Sequence, residues 1–411
     1  MIQSAMGLLT LLAIAWLLSE NRRIVPWRMI IAGIGLQAVI ALLMVKASFF
    51  QRIFLGLNAL VTAFQDATQA GTSFVFGYLG GGPLPFVETT PGASFSLAFQ
   101  ALPLVLVIAA LTALLYYWRI LPMVVKSFSW MLRKTMGIGG ALGVVASGCI
   151  FLGMIESPLL IRPYLSKMTR SELFAMMTTG LSCIAGTMLV LYATILQGIV
   201  PDAFTHILTA SIIHAPAALV LASVIIPETQ SPTLGDEISP FEASSAMDAL
   251  AKGTWVGLQL LFNIVAILIV FVSLVKLINI GLGQLPALQG TPLTLERILG
   301  TLMAPVVWLI GIPWSEAKTA GSLMGTKIVL NELLAYIDFA KLPPAALGEK
   351  SRMIMTYAMC SFANLGSLGI LIGGLGSLCP DRRDEIVGMG VKALIAGVLA
   401  SLMTGAIVGA L

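Results

Sequence analysis

Residues 153–165 read GMIESPLLIRPYL, and residues 325–337 read GTKIVLNELLAYI. Each lies in an apolar stretch, 139–168 and 303–340, that is broken by Gly, Pro and charge and is too long for one clean span. A membrane-spanning helix takes about 20 apolar residues. Irregular backbone persists at membrane depth only when it is buried in protein or lines a polar cavity. Both stretches therefore predict helical hairpins that enter a membrane and turn back. Gly153/Gly325, Ile161/Leu333 and Tyr164/Tyr336 align at an offset of 172. Just downstream, SELFAMMTTGLSCIAGTM (171–188) matches SRMIMTYAMCSFANLGSL (351–368) at an offset of 180. The eight-residue difference falls in the connecting loop, where insertions cost little. Each half reads as a hairpin followed by a span with a polar, Gly-containing interruption. Halves that enter from opposite faces make an inverted repeat, the mark of secondary transporters, with the substrate site near the midplane.

Composition agrees. The 411 residues are 58% hydrophobic and 10% charged, whereas soluble domains carry about 25% charged residues. So few charges cannot cover a water-facing globule of this size, which excludes a soluble enzyme, a nucleic-acid binder and a disordered chain. Eight spans are expected, at 2–19, 27–48, 97–119, 171–196, 203–226, 254–280, 351–376 and 386–410. Ile2 to Leu18 lacks a basic n-region and reads as the first span rather than a cleavable signal. Segments 51–70 and 122–137 are amphipathic and predict helices along the interface, the second with Lys126, Arg133 and Lys134 on its polar side. Arg22, Arg23, Arg28, Arg119, Arg162, Lys167, Arg170, Arg382 and Arg383 join them on one face if the N-terminus is outside and both hairpins return to the side they entered from. By the positive-inside rule that face is cytoplasmic, which leaves both termini periplasmic. The acidic loop 227–253 falls on the same side.

Glu156 and Glu332 stand inside the two matched segments. A carboxylate at bilayer depth costs about 2.5–3.5 kcal/mol on insertion scales, so it must face a site or a partner. One reading is an ion pair that holds each hairpin, for example with Lys327 or Arg162. The other is a carboxylate that orients a polar solute by accepting hydrogen bonds. Asn331, Asn364, Ser367, Ser182 and Thr187 add neutral polar groups at the same depth. His206 falls near a span end and is expected at the interface, whereas His214 lies inside a span. His214 reads as a packed neutral ring or as a protonatable group. The four Cys show neither CxxC pairs nor metal spacing and read as small apolar fillers. No cofactor or metal is expected.

These segments, with GTSFVFGYLGGG (71–82), GTKIVLNELLAY (325–336) and CSFANLGSLGI (360–370), resemble the concentrative nucleoside transporters in order from about residue 50 to the C-terminus. The resemblance implies an all-α integral membrane protein with eight transmembrane helices, two re-entrant hairpins, and scaffold and transport domains. It implies a homotrimer in a bacterial inner membrane that imports a nucleoside by an elevator motion coupled to a cation gradient. The chain then divides into 1–120 (scaffold), 121–226 (first transport repeat), 227–285 (acidic loop and scaffold span) and 286–411 (second transport repeat). Carried over by position, the base-binding cluster falls on Met154, Ile155 and Glu156. The ribose-binding group falls on Glu332, Asn364 and Ser367, with Phe362 and Met188 as apolar walls. Many members have Gln and then Thr or Ser before the first Glu; Met154 and Ile155 cannot pair a base edge in that way, so base preference is open and a modified nucleoside is an alternative.

Sodium-coupled members have an Asn and a Ser as side-chain ligands where this chain has Cys149 and Cys183. Na⁺ is a hard cation that prefers oxygen, and a thiol is a poor ligand for it. The expectation is proton coupling, with Glu156, Glu332 and His214 as candidate carriers; sodium coupling through carbonyls and water is the nearest rival. A receptor or channel on this scaffold would need a continuous polar path. A hydrolase would need a triad or an HExxH motif, and neither is present.

Overall fold

The computed structural model describes residues 2–46, 48–89, 93–235, 237–239, 242–287 and 292–411. Among these the regular structure is entirely helical. The chain opens with α1 (Ile2–Leu17), α2 (Trp27–Lys46), the long α3 (Ser48–Phe76) and α4 (Leu104–Tyr117). A first series follows: α5 (Ile120–Met136), α6 (Gly140–Gly148) and α7 (Glu156–Leu159), then α8 (Arg170–Ser182), α9 (Gly186–Ile195) and α10 (Ala203–Ile225). After α11 (Ala246–Leu282) the series recurs as α12 (Leu295–Leu309), α13 (Trp314–Val329), α14 (Glu332–Ala340), α15 (Glu349–Met359), α16 (Leu365–Leu378) and α17 (Arg383–Ala410).

Among the described residues, six helical segments are long and apolar enough to cross a membrane: Trp27–Met44, Leu97–Tyr117, Arg170–Ile195, Ala203–Ile225, Ala246–Leu282 and Pro380–Ala410. The other two expected spans fall on α1, with 16 residues, and on the broken pair α15–α16. Most side chains of the expected interfacial segment between 51 and 61 lie outside the described residues. α5 is amphipathic: Leu121, Val125, Ser129, Leu132 and Met136 are buried at helical spacing, and Arg133 and Lys134 stand at the carbonyl end, which favours cations.

The second hairpin differs from its expected bounds of 303–340. α12 begins at Leu295 and forms a separate helix, bent 117° from α13. The bend is local chemistry: Gly311 takes φ 117°, which side chains resist, and extended Pro313 starts the next helix. Gly300 and Gly321 let α12 and α13 meet, since a Cβ on Gly321 would lie 2.6 Å from the Gly300 carbonyl.

The repeat register also differs from the 172 offset. Glu156 opens α7 and Glu332 opens α14, so each acid is the first residue of a hairpin's returning arm. The first hairpin turns through residues 149–155, and the second turns tightly at Leu330 and Asn331. The spans break at matching places, between α8 and α9 and between α15 and α16.

Residues 1–120 divide in their packing. α1 and α2 pack on α10 and α17, whereas α4 pairs with α11. Gly253 and Gly257 allow that pairing, because a Cβ on Gly253 would sit 2.6 Å from the Ala113 Cβ. Small residues at four-residue spacing let membrane helices approach closely.

One face is tied by ions. Glu20, just after α1, accepts from Arg170 at 3.0 Å and from Lys392 at 2.9 Å, and Arg170 also meets Glu385 at 3.6 Å. The Arg170 hydrogen bond, then Lys392, holds the Glu20 carboxyl below its usual range. A depressed carboxylate stabilises the fold above its unfolded pKa and loses that contribution as pH falls through the folded value. Because these side chains are partly exposed, Glu20→Gln is expected to cost at most about 1 kcal/mol near neutral pH. The gap between the two unfolding midpoints should close below roughly pH 4. A gap that persists unchanged in acid would exclude the ionic origin.

Candidate functional site

Glu332 is the centre of a buried polar cluster at the second hairpin. It is 4% exposed, at the amide end of α14, where the helix dipole favours an anion. Tyr192, from α9, donates its hydroxyl to Glu332 Oε1 at 2.6 Å. Asn364, in the break before α16, donates Nδ2 to Oε2 at 2.9 Å. The other end of that amide is committed as well: Asn364 Oδ1 caps α16 by accepting the Ser367 amide at 2.8 Å. The helix amide fixes which end is oxygen, and so turns the Asn364 NH₂ towards the carboxylate. Tyr192 also packs on Tyr336, with ring centroids 5.0 Å apart, and Tyr336 donates to the Thr356 carbonyl at 2.7 Å. Two separated pieces of chain thus converge on a carboxylate carried by a third.

The structure therefore brings together Glu332, Asn364 and Ser367. Met188 is buried two residues past the start of α9, and Phe362 is half-buried in the second break. On the first hairpin, Met154 packs towards Gly180 of α8 and Ile155 against Gly374 of α16. Glu156 is exposed and shares no hydrogen-bond partner with the Glu332 cluster.

Other candidates stand outside these bonds. Ser182 donates to the Thr178 carbonyl of its own helix at 2.7 Å, and Asn331 caps α14 by accepting the Leu334 amide at 2.8 Å. His206, in the first turn of α10, is buried, with Nδ1 3.0 Å from the Tyr357 hydroxyl. His214 is fully buried, and among the described residues neither ring nitrogen has a partner within hydrogen-bond geometry. Lys327 does not ion-pair with Glu332. Its ammonium donates to Ser361 Oγ at 2.7 Å and to the Ala363 carbonyl at 2.9 Å.

Cys149 and Cys183 are free, buried thiols where hairpin one meets the first break. Cys183 donates weakly to the Ser211 carbonyl at 3.7 Å. The Ser211 hydroxyl reaches the Ile150 carbonyl at 3.1 Å and the Ile184 carbonyl at 3.5 Å. Tyr192, Ser211 and the true partners of Lys327 escaped sequence reasoning. The available signal was a lone hydroxyl or ammonium in a segment otherwise built to be apolar.

An all-helical membrane protein with paired hairpins, paired broken spans and a buried carboxylate cluster between them has the architecture of a secondary transporter. Comparison with known proteins makes the class specific. Residues 206–409 match the family described as Na+ dependent nucleoside transporter C-terminus, residues 6–79 its N-terminus, and residues 98–198 a gate domain described as nucleoside recognition. The chain is 38% identical to the uncharacterized transporter YutK of Bacillus subtilis strain 168, covering 98% of both chains. It is 35% identical to the nucleoside permease NupC of Helicobacter pylori, covering 99% of this chain and 96% of that one. It superposes with TM-score 0.91 on CNTnw in an inward-facing substrate-bound state, at 34% identity over 99% of this chain and 98% of that one. The chain belongs to the concentrative nucleoside transporter family, a family of multi-pass membrane transporters and not of enzymes.

Proposed function

We propose that the protein imports nucleosides across the bacterial inner membrane by proton symport, with both termini periplasmic. The observation that carries the substrate reading is the Glu332–Asn364–Ser367 cluster. A buried carboxylate and an amide, each with a fixed orientation, suit the vicinal hydroxyls of a ribose, which offer two donors to one acceptor group. Among the described residues Ser367 Oγ has no hydrogen-bond partner, which leaves it for a ligand hydroxyl. Met188 and Phe362 supply apolar walls. Met154 and Ile155 replace hydrogen-bonding groups on the base side, so discrimination there is by shape and Glu156 alone, and modified bases fit this reading.

For the ion, the support is the chemistry of the first junction. Two thiols stand where oxygen ligands would serve sodium, and the Ser211 hydroxyl engages two of the carbonyls that would remain. Glu156, Glu332 and His214 are the candidate proton carriers. The two repeats, 121–226 and 286–411, form the moving body of an elevator, with the α4–α11 pair as scaffold and three copies assembled around it.

Uptake into liposomes separates the ions. A pH gradient, acid outside, is expected to drive accumulation of labelled uridine or adenosine, and a sodium gradient at equal pH is not. Strong accumulation driven by sodium alone would sink the proton assignment.

A further inference from the structure

Lys327 has no role in the reading above, yet its ammonium is wholly buried. Burying a charge costs several kcal/mol unless its surroundings replace water. An acid does not do so directly, since the ion pairs of the described residues do not include Lys327 with Glu332. The titratable groups that face it are Glu332 on α14, Cys360 at the end of α15 and His214 on α10. Its two hydrogen-bond acceptors, Ser361 Oγ and the Ala363 carbonyl, both lie in the unwound stretch just past the carbonyl end of α15. That end carries partial negative charge. In broken-helix transporters, unwound carbonyls and half-helix carbonyl ends are where a coupling cation is held.

The two halves meet this need differently. In the first, hairpin and break are joined by neutral bonds: the Gly186 amide to the Phe151 carbonyl at 2.9 Å, and Ser211 to Ile150 and Ile184. In the second, the hairpin reaches its break through a cation. Ala363 immediately precedes Asn364, so the lysine holds the peptide unit from which the Glu332-binding amide extends.

We propose that Lys327 is a tethered cation: its ammonium fills, in the second repeat, the place of a bound ion at the broken span, and positions Asn364 for the ligand. It is a positioning residue that acts through residues 361–364. The proposal rests on the nucleoside reading only for its affinity readout.

The test is chemical rescue. Lys327→Ala leaves a space that n-propylammonium can fill with both volume and charge, and 1-propanol with volume only. Purified Lys327→Ala is expected to bind nucleoside about tenfold more weakly or worse. Propylammonium should restore several-fold of that loss, and propanol should not. Lys327→Met, which fills the space without charge, should be weak and beyond rescue. Propylammonium should also raise the unfolding midpoint of ligand-free Lys327→Ala and leave the wild type unmoved. Wild type that binds no nucleoside would count against the substrate reading alone, and the ligand-free midpoint would still judge the lysine. The proposal is overturned by wild-type affinity in Lys327→Met, by equal rescue with propanol, or by a folded Lys327→Ala that responds to neither. If neither lysine variant folds, Ser361→Ala decides: it removes one acceptor, weaker nucleoside binding supports the proposal, and unchanged binding overturns it.

Discussion

Glu332→Ala is expected to lower nucleoside affinity by about two orders of magnitude or more, the largest loss of any single change at the site. Two partners converge on this side chain, Tyr192 at 2.6 Å and Asn364 at 2.9 Å. Hydrogen bonds to a charged group contribute about 1.5–3 kcal/mol each, and truncation leaves the buried donors unpaired. The ligand's own hydroxyl contacts are lost together with the geometry of Asn364. Glu332→Gln keeps the shape but removes the charge and one acceptor oxygen, so it should fall well below wild type despite being nearly isosteric. Tyr192→Phe removes one donor and leaves the carboxylate bound to Asn364, so its loss should be smaller, about tenfold. Equilibrium binding of labelled nucleoside to purified variants would give the ranking. Wild-type affinity in both Glu332 variants would remove the ribose assignment.

How far this arrangement could be read in advance depends on the kind of signal each residue carries. Glu332 and Asn364 were legible because charge and amide are rare at bilayer depth and fell in matched segments. Tyr192 was not, because within MLVLYATIL an aromatic ring looks like packing until tertiary structure aims its hydroxyl at α14. Lys327 was visible, and the ion pair offered as one reading of Glu332 does not form. Five residues from Glu332 along the chain, it reads as an ion-pair partner; the turn at Leu330 and Asn331 ends α13 between them, and the ammonium goes to residues 361 and 363 instead. The repeat register slipped for a related reason: the two hairpins turn over different numbers of residues, so a match of glycines, Gly153 with Gly325, paired a turn with a helix. Gly311, whose left-handed backbone separates α12 from α13, lay inside the broken stretch 303–340, but composition did not say which Gly or Pro made the bend.

The second large effect should come from rebuilding the first junction. Cys149→Asn with Cys183→Ser restores the side-chain oxygens, but these two changes alone are expected to give little sodium dependence. Ser211 would still donate its one hydroxyl proton, shared between the Ile150 carbonyl at 3.1 Å and the Ile184 carbonyl at 3.5 Å, and that proton competes with a cation for the same lone pairs. Adding Ser211→Ala frees them, and it costs about 1–3 kcal/mol in unpaired buried carbonyls when no ion is bound. A cation repays that penalty only when present, so the triple variant should be less stable than wild type without sodium and regain stability with it, by mass action on the folded state. Its nucleoside affinity should rise about tenfold or more between sodium-free buffer and saturating sodium, whereas the wild type shows no change. Coupling free energy is reciprocal, so nucleoside should tighten sodium binding by the same factor. Sodium-dependent binding already present in the wild type would overturn the proton assignment. A folded triple variant with no sodium response would show that the thiols and Ser211 do not account for the missing site.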